Sequence, residues 1–486
     1  ERMDELLAMA DELDNTRLYA NGSNVHYGEK GCDSKSGFYT SSNFYDKDLR
    51  GTFAGMKGYI NHCYPNAAVN FDGTMKELRK TYEKPVFSFE VGQFEILPDF
   101  RELEDFRGIS DPANFRLIQE KVKARGLEAD WPKYVEASGE ISRLCYREEI
   151  EAAMRTEQLS GISLLGLQDF PGQGTALVGM LNAHLFPKPY RFAEPAAFRR
   201  FFTDSLPLVL LSGYTYENTE TLHAEVRMAN FGKKALAGRL RCVLEGTGFR
   251  EVWEAERETV CPPGKLTTVG IFAFSLEKAD RPMRLDLTAS FDGAVNSYPV
   301  WVYPPVSPVC PEEVLETEHL DEEAKAALRA GKTVYLTPPS TKEALPRSIQ
   351  AQFSTDFWSV GTFSEQEGGM GQLIDAEHPI FRDFPTESYS NWQWWPMACQ
   401  RAVILPERID AVITEMDSYA YLRPMAKLFE CRCGNGKLLF STLNLQNLQQ
   451  YPEARALLAS VYRYLASDRF APKQELEVEM LAELVR

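Results

Sequence analysis

Two carboxylic acids in this chain stand where an apolar strand gives out. In "KPVFSFEVGQFEILPDF" (84–100), Pro85-Val86-Phe87-Ser88-Phe89 has the unbroken aromatic character of a fully buried strand. Glu90 closes it, just before Gly92 lets the chain turn. In "GISLLGLQDF" (161–170) Asp169 has the same address. A carboxylate in such a place is costly unless it is paired or used. Two acids at strand ends, on a parallel α/β scaffold whose catalytic groups gather there, fit cleavage of a glycosidic bond by a carboxyl pair. The competing reading is structural, an ion pair with a neighbouring Arg or Lys.

Further polar residues fall in the loops that would surround these acids. Asn24, Arg50, Asn61, Gln93, Gln168, Asp169 and Gln173 are candidates for holding sugar hydroxyls. Each has an equally ordinary use as a turn former or as a partner for buried backbone. Arg50 is also a candidate clamp for a carboxylate-bearing sugar. His26 and His62 lack metal-ligand spacing, and no C-x2-C pairs with a second, so no metal or cofactor is expected. Trp392, Trp394 and Trp395 in "NWQWW" suggest a stacking platform, but packing is the expected use of at least two of them.

Three stretches of different composition must position these residues. Residues 1–200 alternate helical patterns (2–14, 74–82, 112–125, 131–155) with apolar strands (17–23, 85–90, 161–170), which predicts parallel strands covered by helices. Residues 201–306 alternate apolar and polar positions, as in "LHAEVRMANFG" and "MRLDLTASFDG", and predict an antiparallel β-sandwich facing Val226, Met228, Leu285 and Leu287 inward. Residues 307–486 return to α/β, with a hairpin at Gly434-Asn435-Gly436 and a closing helix near 452–467.

The net charge of −17, spread along the chain, argues against nucleic acid and anionic membranes as partners. No run of about 18 apolar residues is present to span a bilayer. Nine scattered cysteines fit free thiols in a reducing compartment, so a cytoplasmic location is expected. Residues 1–15 read as an acidic amphipathic helix, not a signal peptide, and the true N-terminus is expected to lie upstream.

"PVFSFEVGQFEILPDF" resembles the nucleophile strand of glycoside hydrolase family 2, the β-galactosidase and β-glucuronidase family. Phe89 stands where similar bacterial members carry His. "DLRGTF…GYINHCYPNA" (48–67) and "GISLLGLQDFPGQGTALVGMLNA" (161–183) resemble the same members. The resemblance implies that residues 1–200 are the C-terminal half of a TIM (β/α)8 barrel. It also implies an immunoglobulin-like sandwich at 201–306 and a glutamine-amidotransferase-like α/β domain at 307–486, the latter with no nucleophile-elbow Cys. The implied activity is that of a retaining exo-β-glycosidase acting on an oligosaccharide or glycoside, with Glu90 as nucleophile. A second carboxyl about 5–5.5 Å away would protonate the leaving oxygen. In this family it is a Glu following Asn, and no Asn-Glu precedes Glu90. The acid is therefore expected upstream of Glu1, with Glu29 as the alternative within the chain. The competing functional class is a non-catalytic carbohydrate-binding or assembly protein derived from such a hydrolase. A half-barrel would leave apolar strand edges open, so a homo-oligomer is expected.

Overall fold

The computed structural model describes residues 2–23, 34–52, 57–109 and 111–486. Its N-terminal region begins with helix α1 (Arg2–Leu13), which buries none of its residues and leaves Met3, Leu6, Met9 and Leu13 exposed. Three parallel strands follow, β1 (Tyr39–Ser41), β2 (Val86–Gly92) and β3 (Gly161–Leu165), with β2 in the centre. Between β2 and β3 come helices α2 (Ala113–Ala124) and α3 (Trp131–Met154). α3 lies behind the sheet and buries Ile141, Cys145, Tyr146 and Ile150 completely.

Residues 17–23, expected to form a strand, are irregular. "RLYANGS" contains a turn-forming Asn-Gly and too few apolar positions to line a buried sheet. The strand beside β2 is instead Tyr39–Ser41, inside a Gly- and Ser-rich stretch that reads as loop. β3 stops at Leu165, and Gly166, Gln168 and Asp169 lie in the turn beyond it. β1 and β3 form the edges of this sheet, with no further strand partner among the described residues.

Residues 205–303 build a five-stranded and a three-stranded sheet that face one another, with a separate two-stranded pair of Leu236–Gly238 and Thr259–Cys261. Val226, Met228, Leu285 and Leu287 are fully buried between the facing sheets. One pairing departs from the antiparallel expectation: Thr215–Glu217 runs parallel to Trp301–Tyr303 at the edge of the larger sheet. This region is joined to α3 by a buried ionic network. Glu151 receives Arg147 at 2.7 Å and the Tyr298 hydroxyl at 2.7 Å, and Arg155 reaches Glu148 at 2.6 Å. Arg147 continues to Asn296 Oδ1 at 2.9 Å and the Ser297 carbonyl at 2.7 Å. Burial alone would raise Glu151, but Arg147 and Arg155 hold it below the ordinary carboxylate value.

The terminal region is an eight-stranded mixed sheet. Its strands Val314–Thr317, Thr333–Leu336 and Gly436–Ser441 run parallel, and the remainder are antiparallel. The hairpin turn is Gly434-Asn435, with Gly434 at φ 60°. No helix among the described residues is long and apolar enough to cross a membrane.

Candidate functional site

β2 carries one residue more than its neighbour can match. Ser88 pairs with Ile162 and Val91 with Leu164, so Phe89 and Glu90 together oppose one residue of β3. Such a bulge turns a side chain out of the regular alternation. Glu90 sits in it at φ 55°, half-buried, and is followed by Gly92 at φ 105° and Gln93 at φ 74°. A non-glycine residue held in the left-handed region costs about 1–3 kcal/mol, and only a surrounding structure that enforces it keeps it there.

That enforcement comes from α3 and from the loop after β1. A Cβ on Gly92 would lie 2.1 Å from Tyr146 Cε1, so only glycine lets the strand end pass over this ring. The Tyr146 hydroxyl lies 2.6 Å from the Gly166 carbonyl and 2.9 Å from that of Val178, tying β2 to the turn beyond β3. One turn further along α3, Glu149 accepts the Gly92 N–H at 2.7 Å through Oε2. Its Oε1 accepts the N–H groups of Gly51 and Thr52 at 2.5 and 3.2 Å.

Arg50 completes the clamp. It donates to Gln93 Oε1 at 2.8 Å and to the Gly92 carbonyl at 2.7 Å, lies 3.6 Å from Glu149 and stands over the Phe357 ring at 5.0 Å. Burial pulls its guanidinium below the ordinary value, while Glu149 and then Glu90 favour its charge. Burial raises Glu149, and Arg50 and the three backbone N–H groups oppose that rise. The positive charge beside Glu90 is therefore part of the strand-end architecture.

The remaining sequence candidates divide sharply. Arg50 is 1% exposed and Gln93 5%, so both support the loop from within. Asn61 accepts the N–H groups of Phe353 and Ser354 and donates to the Ser354 hydroxyl at 3.0 Å, latching its loop to the terminal region. Asp169 is buried against Lys188 at 2.8 Å and accepts the Gly179 N–H at 2.8 Å. Burial raises its carboxyl and Lys188 opposes the rise, which is the ion-paired reading of a strand-end acid. Gln168 is half-buried and bridges to Leu181, while Gln173 is an exposed turn residue. Asn24, His26 and Glu29 lie outside the described residues. Trp392 and Trp394 are buried, and Trp395 donates to the Ile60 carbonyl at 2.8 Å.

Two residues essential to the site's shape are missing from the sequence reading. Tyr146 and Glu149 lie in "LCYREEIEAAM", where the run of acids resembles a solvated helix face. The available signal was the spacing of Tyr146, Glu149 and Ile150 on one face of a helix that must cover apolar strands. A cleft of about 1390 Å³ between the start of α3 and the terminal region is lined by Tyr134, Glu136, Arg191 and Tyr389 and does not include Glu90.

Two family matches fall in the C-terminal part of the chain. Residues 220–304 match a family described as a domain of unknown function, DUF8488, and residues 315–486 match another, DUF8487. No curated protein matches. Among solved structures, a β-glucosidase from Listeria innocua in complex with glucose is similar at 16% identity and TM-score 0.17, over 21% of this chain and 17% of that one. A β-glucosidase from Erythrobacter marinus gives 14% identity and TM-score 0.17, over 20% and 15%. The DNA glycosylase AlkC of Pseudomonas fluorescens gives 7% identity and TM-score 0.18, over 22% and 33%. This chain thus spans under a fifth of the length of either glucosidase, and likeness at these TM-scores fixes neither fold nor activity.

Proposed function

We propose that this chain carries the nucleophile of a retaining exo-β-glycosidase, similar to β-galactosidases, with Glu90 as the attacking carboxylate. The observation that carries this reading is the bulged, left-handed backbone at Glu90, enforced by the buried group of Tyr146, Glu149 and Arg50. Strain of this kind gathers where a side chain must be aimed. Asp169 has a dedicated cation and Glu90 a shared one, which separates the structural acid from the functional one. In this reading β1, β2 and β3 with their helices are the C-terminal half of a (β/α)8 barrel, and Glu90 forms a covalent glycosyl ester that water then opens. The proton donor is not assigned to any described residue.

The substrate proposed is a neutral glycoside. Arg50, the cation considered for gripping a sugar carboxylate, is used inside the protein, which favours a galactoside over a uronide. Self-association is also proposed, supported by the exposed apolar residues of α1 and by the two edge strands of the parallel sheet, which have no further strand partner among the described residues. Light scattering of the purified chain tests it, and a clean monomer would refute it.

Catalysis is tested by comparing wild type with Glu90→Gln on an aryl galactoside, whose activated leaving group needs little protonation. The reading expects measurable release by wild type and a loss of several orders of magnitude in the variant. Equal rates would remove Glu90 from the chemistry. Saturable sugar binding with no turnover by either would favour the non-catalytic carbohydrate-binding alternative.

A further inference from the structure

Beyond Glu90 the chain runs directly against the terminal region. The Glu95 N–H donates to the Asp356 carbonyl at 2.8 Å, the Trp358 N–H donates to the Gln93 carbonyl at 2.8 Å, and Phe94 faces Phe357 as an antiparallel bridge. Glu95 and Asp356 are thereby cross-strand neighbours, and such neighbours project to the same side. Both are buried, at 0% and 1% exposure. Neither oxygen of Glu95 and not Oδ2 of Asp356 receives a hydrogen bond. Gln352 stands at the hydrogen-bond limit, 3.5 Å, from Asp356 Oδ1.

The charged groups around this pair are already committed. Glu95 faces Asp356, Asp169 and the Tyr419 hydroxyl, and Asp356 faces Asp417, Glu415 and Arg423. Arg423 holds Asp417 at 2.7 and 2.9 Å, Lys427 holds Glu415 at 3.0 Å, and Lys188 holds Asp169 at 2.8 Å. Among the described residues, five carboxyls thus meet three cations, and Glu95 and Asp356 are the two left without one. No cluster of three or more His, Cys, Asp or Glu among the described residues suits a metal ion. The Tyr419 hydroxyl lies 2.6 Å from the Thr175 carbonyl and also faces Glu95, which it draws downward against burial. What disfavours an ionised Glu95 is its burial and then the carboxylates of Asp356 and Asp169.

We propose that Glu95 and Asp356 form a proton-held latch, closing the contact between the Glu90-bearing loop and the terminal region when protonated and releasing it when both ionise. Burial, with the neighbouring carboxylates, sets both acids well above their ordinary values. The sign follows. In the window above the ordinary carboxyl values the folded protein binds more protons than the unfolded one, so stability falls as pH rises. The latch is strongest in acid and is lost as pH climbs through the raised folded values. This inference does not depend on Glu90 being catalytic.

Hydrogen exchange of the full chain, between about pH 5.5 and pH 9 and normalised for intrinsic exchange, tests it without an activity assay. Protection of peptides covering 90–100 and 353–363 should fall by up to about tenfold per pH unit for each proton released. Peptides covering 283–291 of the sandwich, whose one acid, Asp286, is exposed, should not change. Glu95→Gln and Asp356→Asn, made separately so that one failing to fold leaves the other, should flatten the slope. A wild type with no slope, or variants that keep it, overturns the latch.

Discussion

Two of the buried charged contacts between the N-terminal region and the rest of the molecule differ in character. Between α3 and the sandwich, Arg147 and Arg155 match Glu148 and Glu151, and the Tyr298 hydroxyl and Asn296 amide fill remaining lone pairs. Between the strand-end loop and the terminal region, Glu95 and Asp356 face one another with no cation of their own. Buried charges tolerate the interior when each has a partner. In the first contact Arg147 and Arg155 hold Glu151 ionised, while burial lifts Glu148 to about 7 against the pull of Arg155. The second depends on protonation, and it adjoins the loop that aims Glu90. Charge balance separates the two contacts.

The largest expected effect breaks the first contact. Glu151→Leu leaves Arg147 and Arg155 short of a buried partner and should cost about 3–5 kcal/mol in a denaturant melt. Gly92→Ala comes next. It forces a Cβ into the Tyr146 ring and a left-handed backbone on alanine, so a loss of roughly 3 kcal/mol is expected, with Glu90 displaced. The same melts check both, and a loss under about 1 kcal/mol in either would contradict the packing described.

The contrast between these contacts was only partly legible in the sequence. The apolar run 85–90, the four helices and the alternation in 222–232 and 283–293 each express a single period and appear where the pattern places them, while the strand expected over 161–170 stops at Leu165. Glu90 was legible because a charge at the end of an aromatic strand violates that period. Tyr39–Ser41 was hidden because three residues inside a Ser- and Gly-rich segment carry no period, and their pairing is decided by the neighbouring strand. The cation that pairs with Asp169 was hidden because Lys188 is 19 residues away in sequence. Likewise Glu95 looks like a loop acid until residue 356 folds over it. Non-local partners decide whether a polar residue is functional, paired or left over, and a linear pattern does not contain them.

The smallest effect sharpens the second contact. Glu95→Gln removes one of two opposed carboxyls while keeping its shape. It should leave stability near pH 5 almost unchanged and raise it by roughly 1 kcal/mol at pH 8 relative to wild type. Melts at the two pH values check this, and a variant that is destabilised more at pH 8 than at pH 5 would reverse the assigned sign.

The role of Glu90 is most directly tested by covalent trapping. A 2-deoxy-2-fluoro galactoside with a good leaving group should form a stable glycosyl ester on a retaining nucleophile. Peptide mapping of the treated chain is predicted to place a single adduct on Glu90. An adduct on another carboxylate, or none under conditions where the same chain releases an aryl aglycone, would contradict Glu90 as the nucleophile.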